Sequence, residues 1–235
     1  MKFELCTDSV EGAVIAGQYG FSSIELCTAL SVGGLTPGYG LIQECVANSA
    51  AEVHVMIRPC EGGFQVSNAD LRLMHMEIQA AKKAGATGVV FGILDSENKI
   101  SDRNHELVEL AKGIGMKATF HRAFDFVPDF RKAAEKVVAF GFDRLLTSGL
   151  QDSAENGIQV IAEISRKYGD RIQVIAGSGV SAGNALKFSV AGINYLHFTA
   201  RKPGGEIVAK GMGQHMLTDT GKIEQIINLP YDGVN

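Results

Sequence analysis

Apolar and polar residues alternate in two short segments that carry the same pattern, Phe3-Glu4-Leu5-Cys6-Thr7 and Ile24-Glu25-Leu26-Cys27-Thr28. Each reads as a strand. Successive strand side chains point to opposite faces, so Glu4 and Cys6 share one face and Phe3 and Leu5 the other. Glu25 and Cys27 stand against Ile24 and Leu26 in the same way. With the apolar faces packed on helices, two carboxyls and two thiols point into a shared interior. Unpaired carboxylates are costly to bury, so the repeat marks the start of a site.

The rest of the chain alternates strand-like and helix-like runs. Strands are predicted over 2–7, 22–27, 52–58, 87–93, 116–122, 142–148, 171–177 and 193–199. Helices are predicted over 9–18, 39–49, 68–84, 101–113, 129–140, 153–168 and 181–190. Gly20, Gly85, Gly115, Gly141, Gly169 and Gly192 stand just before strands, where helix-terminating glycines belong. Eight βα units without a composition break imply parallel strands, right-handed crossovers and a closed α/β barrel of the TIM (β/α)8 type. A flavodoxin-like open sheet would need fewer strands. The barrel is assigned to residues 1–200; a C-terminal loop and a helix near 219–227, within 201–235, complete the same single domain. Active sites of such barrels sit at the C-terminal strand ends. The long loop after strand two (29–38) and the Gly-rich loop after strand three (59–64) elaborate that rim.

Bulk properties narrow the class. The chain has 235 residues, 46% hydrophobic and 20% charged, with formal net charge −4. That balance supplies no basic footprint for nucleic acid or an anionic membrane. No apolar run reaches the ~18 residues that span a bilayer. Met1 leads straight into a strand, leaving no room for a signal peptide, so a cytoplasmic protein is expected. Cys6, Cys27, Cys45 and Cys60 are then reduced thiols, and no C-x-x-C spacing suggests a zinc ribbon or redox dithiol.

Alternation also assigns the other strand tips. Strand three turns His54, Met56 and Arg58 to one face; strand five turns Thr119 and His121 and runs on through Arg122 to Asp125. Strand six ends Leu146-Thr147-Ser148-Gly149, and strand eight turns Tyr195, His197 and Thr199 together. The interior top is expected to collect Glu4, Glu25, Arg58, His121, Thr147 and His197. If Glu4 and Glu25 were ~5 Å apart, repulsion near an effective dielectric of 20 would be about 3 kcal/mol. One pKa would rise by roughly two units unless Arg58, His121 or a metal compensates. Such a pair suits acid/base work, with Glu25, Arg58, His121 and Asp125 as catalytic candidates; the plainer alternative is a structural Glu–Arg pair between strands.

Two further ligand chemistries are open. Cys6 and Cys27 offer soft thiolates that favour Cu(I) or zinc, with Met56 either a third soft ligand or a space-filler. Layers in a barrel draw on alternate strands, so the repeat does not by itself make the two thiols touch. Cys45 reads as helix core and Cys60 as an exposed loop thiol. Gly177-Ser178-Gly179-Val180 ends strand seven and opens a helix, a place where backbone amides donate to phosphate. Thr147, Ser148 and His197 complete that candidate ligand set, and Arg201 stands close by in sequence.

Several strings, taken in order, resemble the CutC family, named for copper homeostasis. They are Glu25-Leu26-Cys27, Gly33-Gly34-Leu35-Thr36-Pro37, Ile57-Arg58-Pro59, Phe120-His121-Arg122-Ala123-Phe124-Asp125, Leu146-Thr147-Ser148-Gly149, Gly177-x-Gly179-Val180 and His197. The resemblance spans residues 2–201. It implies a TIM-barrel-like fold, a cytoplasmic protein, an oligomer such as a dimer, and a role in copper handling through Cu(I) held by Cys6 and Cys27. After Arg58-Pro59 the family pattern expects a second basic residue, an aspartate and a Phe-x-Tyr stretch. Here stand Cys60, Glu61, Gly62, Gly63, Phe64 and Val66, so that loop's ligand contacts are not carried over. Thr199 replaces a usual serine. Two functions compete: Cu(I) binding, and an enzyme acting on a small phosphorylated metabolite, with phosphate at Gly177–Val180, Glu25 or His121 as general base and Arg58 steadying negative charge.

Overall fold

The alternating segments close into one barrel. In the computed structural model, which describes residues 1–205 and 213–231, the barrel strands are β1 (Lys2–Thr7), β2 (Ser23–Leu26), β3 (Glu52–Met56), β4 (Gly88–Phe91), β5 (Lys117–Phe120), β6 (Arg144–Thr147), β7 (Gln173–Gly177) and β8 (Tyr195–Phe198). They pair in parallel in chain order, and β8 returns to β1. Around them run α1 (Val10–Gln18), α2 (Tyr39–Asn48), α3 (Asn68–Lys83), α4 (Arg103–Gly113), α5 (Phe130–Ala139), α6 (Ile158–Tyr168) and α7 (Ala185–Val190).

The outward strand faces make the principal core. Leu5, Ile24, Leu26, Val55, Phe91, Phe120, Leu145 and Leu196 are buried between barrel and helices. Each such side chain contributes roughly 1.5–3 kcal/mol relative to exposure. Local signals agree with this packing. Ser67 and Asp70 form a reciprocal capping box at the start of α3. Five of the six glycines expected before strands do adopt positive φ, from +70° at Gly20 to +92° at Gly85; Gly169 is the exception at −65°.

Two helices start later than their sequence pattern suggests. The expected 153–168 helix begins at Ile158 because β6 leads into a tight backbone crossing: a Cβ on Gly157 would lie 1.9 Å from the Ser148 carbonyl oxygen. The expected 181–190 helix begins at Ala185, since Asn184 Oδ1 holds the Ser181 amide in a turn. Beyond the barrel, β9 (Arg201–Pro203) and β10 (Met216–Thr218) form an antiparallel ribbon that the sequence pattern does not signal. Helix α8 (Thr220–Ile227) is the element expected near 219–227. Within the expected 201–235 tail, positions 206–212 and 232–235 lie outside the described residues.

Register positions the site. Glu4 stands opposite Ser23, and Cys6 opposite Glu25. The second strand is therefore advanced by one inward position, and equivalent residues of the two Glu-x-Cys segments occupy different levels.

Candidate metal centre and barrel-mouth cavity

The lower level of the lumen is a polar network centred on Glu4, in which Arg144 Nε and Nη1 are buried without a hydrogen-bond partner among the described residues. Glu4 Oε2 accepts from Ser23 Oγ at 2.5 Å and from the Arg144 guanidinium, whose Cζ also lies 5.1 Å from the Tyr195 ring centroid. Ser23 Oγ meets the Tyr195 hydroxyl at 2.7 Å. Glu4 Oε1 receives His197 Nδ1 at 3.0 Å. Burial alone would raise the Glu4 pKa, but Arg144 and then His197 hold it far below the usual carboxylate range. The compensating cation is thus Arg144, not Arg58 or His121, and the plain Glu–Arg pair describes Glu4.

One level up the chemistry changes. Glu25 Oε2 lies 3.4 Å from Cys6 Sγ, 3.6 Å from Cys27 Sγ and 3.8 Å from His197 Nε2. The Cys6, Cys27 and Glu25 donor atoms all fall within 4.8 Å of one another, and all three residues are buried. Met56 and Val90 pack with the two cysteines. Glu25 Oε1 is buried without a hydrogen-bond partner among the described residues. Burial pushes the Glu25 pKa up to about 8, against the pull of His197, with Cys6 and Glu4 adding to the rise. The neighbouring Cys27 thiol brings Cys6 down to about 5 despite burial, and His197 assists. Cys27 itself is held well above an ordinary thiol by Cys6 and by burial. Burial would lower His197, yet Glu25, Cys6 and Glu4 keep it well above an ordinary imidazole. The four groups share their protons: Cys6 is the more acidic of the two thiols, and Glu25 holds its proton more tightly than an ordinary carboxyl.

Above this level opens a cavity of about 1040 Å³ at the C-terminal strand ends, where a barrel of this type keeps its active site. Of the sequence candidates, Cys6, Glu25, Arg58, His121, Ser178, Gly179, Val180 and His197 line it, and Arg201 with them. Cys27 lies behind Cys6, fully buried. The remaining candidates stand off the cavity. Asp125 accepts from Thr147 Oγ1, from the Ser148 amide and from Arg122 Nε, so Asp125, Thr147 and Ser148 form a staple between two loops. Gly177 belongs to the wall beside His197: a Cβ there would lie 2.6 Å from Leu146 Cδ1 and 3.2 Å from His197 Cδ2. Arg58 reaches the rim, but its guanidinium donates to the carbonyls of Val32, Gly34 and Gly62 at 2.8–3.0 Å. It ties the two long loops together. Cys45 is buried and Cys60 exposed, as their positions suggest.

Sequence reading missed Arg144, Ser23 and the cavity-lining Phe126, and gave no role to Phe64 and Arg122, which also line the cavity. The pattern of strand six expects Thr147 inward, but Arg144 and Leu146 take the lumen face, so Thr147 turns the other way and donates to Asp125. Nothing local marks Phe126.

The CutC family model matches residues 1–202. A CutC family protein of Vibrio campbellii is 42% identical over 184 residues, 78% of this chain and 74% of the relative. One from Photobacterium profundum is 40% identical over 203 residues, 86% and 82% of the two chains. The crystal structure of CutC from Streptococcus agalactiae superposes with a TM-score of 0.78 at 31% identity, covering 84% of this chain and 97% of that one. A thiamine phosphate pyrophosphorylase from Pyrococcus furiosus reaches 0.58 at 16% identity over 84% of this chain and 85% of its own, a likeness of fold alone. Among the described residues, no helix is long and apolar enough to cross a membrane. Matched along most of its length by both the family model and these relatives, the chain belongs to the CutC family.

Proposed function

We propose that this protein binds Cu(I) through Cys6 and Cys27 as a cytoplasmic component of copper homeostasis. The observation that carries the reading is the convergence of two buried sulfurs on one carboxyl, with all donor atoms inside 4.8 Å. The donor set suits the ion. Two thiolates and a nearby thioether, Met56, are soft ligands that favour Cu(I) over hard cations. Glu25 is a hard oxygen and serves better as a proton holder beside the thiols. Cu(I) in place of the Cys27 proton leaves the charge of the buried cluster unchanged. Metal binding by thiols releases protons in this way.

An anaerobic Cu(I) titration against a competing chelator tests the reading. The native chain is expected to hold one copper that the chelator does not remove, and the Cys6→Ser, Cys27→Ser double variant to hold none. Equal stoichiometry in both would overturn it. Sedimentation of the same samples reads out the dimer that the family resemblance implies.

A further inference from the structure

One part of the cavity wall comes from the segment after β5, which contributes His121, Arg122 and Phe126. The ring of His121 is fixed there. Its Nδ1 accepts the Ala123 amide at 3.2 Å, and the ring centroid stands 5.1 Å from that of Phe64. Gly92 leaves room for it, since a Cβ there would lie 2.7 Å from Nδ1. With Nδ1 engaged as an acceptor, the ring proton of a neutral imidazole is on Nε2. That atom makes no hydrogen bond among the described residues, and it is not sealed in protein. Burial and the nearby Arg58 charge keep the ring neutral, its pKa held down at about 3. His121 is therefore a donor, the reverse of the general base its place in the sequence suggests.

The surroundings suit an anion with an apolar body. Arg122 lines the cavity, and Asp125 holds its Nε from beneath, buried at 4% side-chain exposure. Arg122 Nη1 has no partner among the described residues. Among the described lining residues are three arginines, Arg58, Arg122 and Arg201, and the carboxyl of Glu25; Asp125 and Asp8 pair with Arg122 and Arg201 from outside the lining. Phe126 is 58% exposed and its ring centroid lies 5.2 Å from that of Phe64, which makes an open aromatic shelf. A volume near 1040 Å³ is that of a small-molecule pocket and far exceeds what one metal ion fills.

We propose that the cavity binds a small organic oxyanion, its charged oxygen on the Nε2–H of His121 and on Arg122, and its apolar part on Phe64 and Phe126. This site is separate from the copper reading and does not rest on it. Phosphate and carboxylate share the chemistry, so two probes distinguish them. Metal-free protein is titrated calorimetrically with phenyl phosphate and with benzoate, and with inorganic phosphate as the probe without a ring. Saturable binding of either aromatic anion, tighter than that of inorganic phosphate, is expected, and the tighter of the two names the anion. His121→Phe should weaken it roughly tenfold or more, the size of one hydrogen bond to a charged group, while His121→Gln, which keeps a donor, should lose less. Nitrogen NMR of the imidazole should show the proton on Nε2, with that signal moving as the probe binds. No binding of either probe at millimolar concentration, equal binding by His121→Phe, or a proton on Nδ1 would each overturn the proposal. Because no copper is present, these outcomes are independent of the Cu(I) titration.

Discussion

Glu4 and Glu25 occupy the same place in the same short pattern, yet the barrel gives them opposite lives. Glu4 lies in the lower lumen, where Arg144, Ser23 and His197 share its two oxygens, although Arg144 keeps Nε and Nη1 without a partner among the described residues. Glu25 lies one level higher, against two thiols and an open cavity, with one oxygen unpartnered among the described residues. The first is a charge made permanent by pairing. The second is a carboxyl kept protonated by burial, with a pKa near 8. A buried charge is stable where it is fully paired, and a buried carboxyl without such a partner takes a proton instead. The lower lumen is therefore structural, and the upper lumen is where a ligand can still change something.

The largest expected effect tests the lower level. Glu4→Gln leaves Arg144 buried without its counter-charge and should cost about 3–5 kcal/mol in urea unfolding. A cost below about 1 kcal/mol would mean that the lower network is not holding the barrel.

The cavity wall extends the contrast to two histidines, His197 held charged and His121 held neutral. The unfolded imidazole takes up a proton near pH 6.5, whereas folded His121 resists it until about pH 3. Below pH 6.5 the unfolded state therefore binds more protons at this residue. Its contribution to stability is complete above pH 6.5 and is lost as pH falls towards 3, by up to about 1.4 kcal/mol per pH unit. His121→Gln should flatten the stability curve in that window relative to the native chain. Parallel curves would show that the ring is not sequestered.

The smallest effect is the sharpest for the comparison. Glu25→Gln replaces a protonated carboxyl with a neutral amide of the same shape, and should change stability by no more than about 1 kcal/mol. If it cost as much as Glu4→Gln, the two levels would be energetically alike and the division between them would fail.

Much of this arrangement is legible in the chain. The βα rhythm, the terminating glycines and the apolar outer strand faces specify a barrel, because helix and strand periods are local and each segment states its own. Alternation likewise turns Glu4, Cys6, Glu25 and Cys27 inward. The same reasoning went astray where a side chain answers to distant neighbours. Arg58 is spent on loop carbonyls, and Asp125, Thr147 and Ser148 staple one loop to another. Phe64 and Phe126 come from different loops, with nothing in either segment to announce that they meet.

The sequence by itself determined the eight barrel strands and their helices, their order, the inward face of the two Glu-x-Cys segments and the family to which the chain belongs. It did not signal the β9–β10 ribbon and turned Thr147 inward, where Arg144 and Leu146 stand. Only the tertiary structure decided level and partner. Strand period says which way a side chain points, but the stagger between strands in a closed barrel decides what it points at. That stagger set Cys6 opposite Glu25 and Glu4 opposite Ser23, and so placed Arg144, 140 positions along the chain from Glu4, against one glutamate and two thiols against the other.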